Sequence, residues 1–120
     1  MKIIDDFTNK KLSIEDVLSH VGDGWHPIVR KLIEDLEKAG WDGRLSQIKE
    51  KFGGLRFYIS QSYKKFPELY RLIAQAETDS LEICEICGEP GSGTSSGGYW
   101  VKTLCEAHDE ERKAAREAGR

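Results

Sequence analysis

Three cysteines in 120 residues are few, and an odd number is a poor basis for a disulfide framework. A reducing compartment is the expected setting. Long apolar runs are missing as well. None approaches the roughly 18 residues that span a bilayer, so no membrane-spanning segment is expected. The first six residues, Met1-Lys2-Ile3-Ile4-Asp5-Asp6, turn acidic at once and lead into no apolar stretch, unlike a secretory leader. Neither sign of charge dominates. The net charge is −3, which speaks against a generic DNA-coating protein but leaves room for a local basic patch. Residues 1–80 balance to zero and the acidic excess falls on 81–120. No internal repeat is present, and no paired acid and base or activated nucleophile stands out, so an enzyme is not expected.

What is present is enough apolar residue, 38%, to build a modest core for one domain of this length. Ser13 and Asp16 make a capping box, and Ile14, Val17, Leu18 and Val21 follow at helical spacing. This predicts a short helix over about 14–21, broken by Gly22-Asp23-Gly24. A longer helix starts near Trp25-His26-Pro27, with Ile28, Val29, Leu32, Ile33 and Leu36 on one stripe and Gly40 as its stop. Trp25 is expected to lock the start of that helix, with His20 and His26 near the surface. Trp41 is expected to cap the core and Arg44 to be solvated or ion-paired.

Over residues 45–60 the period changes to two. Ile48, Leu55, Phe57 and Ile59 alternate with Lys49, Lys51, Arg56 and Tyr58, around a turn placed at Gly53-Gly54. The apolar set is expected to pack on the helices. The other set forms a basic and aromatic face that could take a nucleotide or nucleic acid, lysines meeting phosphates and the ring stacking a base. The two glycines could also offer backbone N–H groups to an anion. Pro67 then opens a third helix to about residue 82.

The strongest signal comes last. Cys84-Glu85-Ile86-Cys87 and Cys105-Glu106-Ala107-His108 are C-x2-C and C-x2-H pairs with 17 residues between them. Zinc takes four such ligands in a tetrahedron, and two ligands three positions apart reach one ion from a tight turn or a first helical turn. Gly88 frees the backbone after the second cysteine. Between the pairs lies a Gly/Ser-rich stretch, 91–98, read as a loop tip, then a strand over Tyr99–Leu104 expected to pair with a shorter strand before the tip, then a helix over 106–118. Four protein ligands leave no position for water, so the zinc is expected to be structural. The order of knuckle, hairpin and ligand-bearing helix resembles a treble-clef zinc finger. The expected fold is α+β: a helix–hairpin–helix body over 1–82 on a small antiparallel hairpin sheet, then the finger over 83–120, packed as one unit.

Taken together, Gly24-Trp25-His26-Pro27-Ile28-Val29, the run Ile48–Tyr58, the C-x2-C pair and Trp100-x-x-x-Leu104-Cys105 resemble a group of small zinc-binding proteins encoded by bacteriophages and prophages. That resemblance implies a bacterial cytoplasmic setting and an accessory role, binding a host protein or a component of its defences.

Overall fold

The computed structural model describes residues 2–95 and 100–119. The predicted helices are there: α1 (Ile14–Leu18), α2 (His26–Lys38), α3 (Pro67–Ser80) and α4 (Glu106–Ala118). None of the helices among the described residues is long and apolar enough to cross a membrane. The Ser13 capping box is made in both directions, Asp16 N–H to Ser13 Oγ at 3.0 Å and Ser13 N–H to Asp16 Oδ2 at 2.9 Å. α1 is shorter than its periodicity predicts, ending at Leu18. A single 3-10 turn over Asp23–Trp25 then leads directly into α2.

The sheet corrects the sequence reading. It is four-stranded and mixed, in the order β2 (Lys11–Leu12), β1 (Ile3–Asp5), β3 (Arg44–Lys51), β4 (Gly54–Ile59). The β3–β4 hairpin is the predicted one, but β1 lies parallel to β3, with Ile4 opposite Arg44. A parallel neighbour needs a long crossover, and here α1 and α2 supply it. β1 turns into β2 around Asp5, whose Oδ1 accepts the N–H groups of Phe7 (2.8 Å) and Thr8 (3.1 Å). The Phe7 N–H is the main reason that its carboxyl titrates below the usual carboxylate range. Asn9, at φ 61, closes the turn.

The hairpin turn is Phe52-Gly53, one residue earlier than expected. Lys51 pairs with Gly54, and both turn residues have positive φ, 53° and 80°. A two-residue turn of this hand matches strand twist, and Gly53 is at no disadvantage in it. Phe52 is held left-handed at a cost of roughly 1–2 kcal/mol. Two hydrogen bonds fix the turn: Gly53 N–H to Glu50 Oε2 at 2.8 Å, and Thr103 Oγ1 to Gly53 O at 2.6 Å.

Ile3, Leu45, Ile48, Leu55, Phe57 and Ile59 face α2 and α3 and bury with Trp25, Val29, Leu36 and Leu69. Trp41 meets Phe57 edge-on, ring centres 5.8 Å apart. β4 is an edge strand, and α3 blunts the edge. Leu55 N–H is taken by Ser80 Oγ at 2.9 Å and Phe57 N–H by Glu77 Oε2 at 3.1 Å. These donors would otherwise template another strand. Ser80→Ala orphans a buried N–H and is expected to cost about 1–3 kcal/mol. Urea unfolding measures it, and an unchanged midpoint would show that the Leu55 N–H has another partner.

The C-terminal segment carries a second, two-stranded sheet of β5 (Ser92–Thr94) and β6 (Lys102–Leu104), registered Ser92 to Leu104 and Thr94 to Lys102. β5 thus forms inside the stretch read as a loop tip. Residues 96–98 of that stretch, and Tyr99 at the start of the expected strand, lie outside the described residues. Trp100 and Val101 precede β6 without being part of it.

Candidate metal centre

Three elements deliver four ligands. Cys84 and Cys87 come from a tight knuckle closed by Gly88 N–H to Cys84 O (2.9 Å) and Cys84 N–H to Glu89 O (2.7 Å), with Gly88 at φ 83. Cys105 follows β6 and caps α4, which puts His108 in the first turn of that helix. One ligand atom from each of the four residues lies within 4.8 Å of all the others. Cys84 Sγ is 3.6 Å and Cys105 Sγ 3.2 Å from His108 Nδ1, and Cys87 Sγ is 3.7 Å from Cys105 Sγ. Ligand atoms arranged tetrahedrally at 2.0–2.3 Å from an ion stand roughly 3.5–3.8 Å apart. The separations of 3.2–3.7 Å and the 4.8 Å bound on the whole group are compatible with a metal site, and a donor set of three thiols and an imidazole suits a soft or borderline cation.

The electrostatics favour a cation too. Burial pushes the Cys84 thiol up, but the backbone N–H groups of Cys105, Cys87 and Ile86 outweigh it and bring the pKa down to about 6. Cys87 receives the Glu89 N–H, which lowers its pKa, yet desolvation and the neighbouring sulfurs of Cys84 and Cys105 leave it raised. Three sulfurs crowded together resist ionising jointly, and a bound cation removes that resistance.

Sequence reasoning missed the residues that seat this centre on the rest of the chain. Gly24 N–H donates to Glu85 O at 2.9 Å, and the buried Trp25 donates Nε1–H to Ile83 O at 2.9 Å. Glu85, between the first two ligands, is itself buried: Oε1 meets Lys102 Nζ at 3.0 Å and Oε2 accepts Thr103 N–H at 3.2 Å. Thr103 closes the circuit through Gly53 O. A charged residue inside C-E-I-C was the available signal, since a carboxylate is buried only when paired.

The other sequence candidates lie apart from the centre. Register places Lys49 directly opposite Arg56 and Gln47 opposite Tyr58, so Lys49, Lys51, Arg56 and Tyr58 share the outward face of the hairpin. The Gly53-Gly54 pair does not present a free anion nest, because Gly53 is bonded to Glu50 and packed on the Lys102 backbone. His20 is exposed. His26 Nε2 lies 3.1 Å from Val21 O and 3.7 Å from Asp23 Oδ1. Arg44 bonds Asn9 Oδ1 at 2.9 Å and pairs with Asp6 at 3.6 Å. No family model, curated protein or solved structure matches the chain.

Proposed function

We propose that Cys84, Cys87, Cys105 and His108 hold a structural zinc in a treble-clef finger, and that the protein works by binding. In this reading it is a small accessory protein of phage type, in the cytoplasm of a bacterial host, which inhibits or adapts a host protein or a component of its defences. The observation that carries it is the spacing of the four ligand atoms: it fits an ion with every position taken by protein, and a catalytic zinc keeps one for water. Metal analysis of protein purified without chelator should give one zinc per chain, and pull-down from bacterial lysate should recover a stoichiometric protein. A metal-free preparation would overturn the first half, and repeated capture of nothing the second.

A second reading has its own observation. The outward hairpin face sets two cations, Lys49 and Arg56, directly across from each other beside Lys51 and the half-exposed Tyr58. Such a face suits a nucleotide or nucleic acid, held without catalysis.

A further inference from the structure

We infer that the outward face of the β3–β4 hairpin is a platform for single-stranded nucleic acid, with Lys49, Lys51 and Arg56 meeting phosphates and Tyr58 and Phe52 offering rings to bases. This rests on the second reading above and narrows it from any nucleotide to an extended strand.

Like charges directly opposite in a ladder weaken the pairing, and Lys49 and Arg56 are so placed. Among the described residues no carboxylate pairs with either of them or with Lys51. The nearby acids are engaged elsewhere: Glu50 with Gly53 N–H, Glu77 with Phe57 N–H, Glu85 with Lys102. The Arg56 guanidinium donates to Leu55 O at 3.1 Å, a bond that leaves its charge uncompensated. Three cations therefore share one face with no internal counter-charge, in a chain whose net charge is −3. Their complement is an external polyanion. Lys49 and Lys51, two residues apart on one strand, stand about 6.6 Å from each other along it, which lays charge out in a line.

Two aromatic rings flank these cations. Tyr58 is 41% exposed and lies two residues along β4 from Arg56. Phe52 is 64% exposed at the hairpin tip, with Lys51 Nζ 5.6 Å from its ring centre. Aromatic rings beside cations stack bases with little regard to sequence.

The shape of the face decides between a free nucleotide and a strand. A small ligand needs a concave site that buries most of its surface. The cleft of about 400 Å³ between α2 and α3 is lined by Ile28, Leu32, Leu72 and Ile83, with none of the hairpin cations. An open sheet face cannot enclose a mononucleotide, but it can carry successive bases of an extended chain.

The test uses the zinc-loaded full chain and a labelled oligo-dT of about 12 nucleotides, read by fluorescence anisotropy across a salt series, with AMP and TMP in a parallel thermal-shift arm. The oligonucleotide should bind with a log–log salt slope of about −2, about −0.7 from each of three phosphate contacts. Lys49→Glu places opposite charges across the ladder. It should keep or raise the melting temperature, weaken binding at least tenfold and lower the slope by about 0.7. Tyr58→Ala should weaken binding roughly tenfold and leave the slope unchanged. Mononucleotides that stabilise the protein as well as the oligonucleotide does would overturn the strand and keep the second reading. Failure of both probes removes the two together. Binding that survives Lys49→Glu overturns the inference. So does a lysate protein whose capture depends on this face while oligo-dT does not bind.

Discussion

Gly24→Ala is expected to unseat the metal-binding segment from the rest of the chain, at a cost of about 3–5 kcal/mol. The reason is steric and local. A Cβ on Gly24 would stand 1.9 Å from Cys84 O, 2.6 Å from Gly88 N and 2.8 Å from Glu85 C. All three are backbone atoms, so no rotamer change relieves the clash. The knuckle has to move off the 3-10 turn, and Gly24 N–H to Glu85 O and Trp25 Nε1–H to Ile83 O go with it. Gly22 is subject to the same restriction, 2.2 Å from Glu85 O. Because all four ligands lie in 84–108, metal content should survive the substitution while urea stability falls. Gly93→Ala is the matched control. Among the described residues the nearest atom outside its chain neighbours is Val101 Cγ1 at 3.7 Å, and its cost should stay within about 0.5 kcal/mol. Equal midpoints for the two variants would mean that the knuckle does not rest on this turn.

This example also marks the limit of what the sequence discloses. Gly22-Asp23-Gly24 reads as a helix breaker, which it is, yet the glycines answer to a backbone some sixty residues further on. Local grammar carries α1 to α4: the capping box at Ser13, the prolines at Pro27 and Pro67, and stripes of period 3.6 are all contained in one segment. The candidate metal-binding cluster is legible for the same reason, since each pair of its residues is set by a three-residue step. β1 is not legible. It has three residues, and its parallel partner β3 begins at Arg44, so only the turn formers Asp5 and Asn9 hint at it. The hairpin shows the intermediate case. Alternation gives the right faces, but the turn slips by one because Phe52 accepts a positive φ that sequence reasoning reserves for glycine. Thr103 and Glu50 hold that turn from outside its own residues, and the pattern of the strands does not encode them.

Removing the metal should melt the C-terminal segment and leave the sheet and α2 and α3 folded. The two parts are held by different forces. The body buries Trp25, Leu36, Leu55, Phe57 and Leu69 completely or nearly so. Among the described residues beyond 82 the buried apolar side chains are Cys84 and Leu104, and α4 buries none. So little apolar area cannot offset the ordering of a segment this long, whereas zinc coordination of this kind supplies about 10–16 kcal/mol. A strong chelator, or Cys84→Ser at the buried ligand, should therefore abolish amide-exchange protection in α4 and over Lys102–Leu104. Protection in α2 and in β3 should persist. Acid should act in the same direction. Thiolates bind the ion, so protons compete with it and occupancy falls as pH drops. Cys84, drawn down to about 6 against the pull of its burial, stays ionised to lower pH than Cys87 in the emptied site. Cys87, raised and exposed, should protonate before it. Retention of full α4 protection in chelated protein would show that the segment folds without an ion, and the structural role of the four ligands would fall with it.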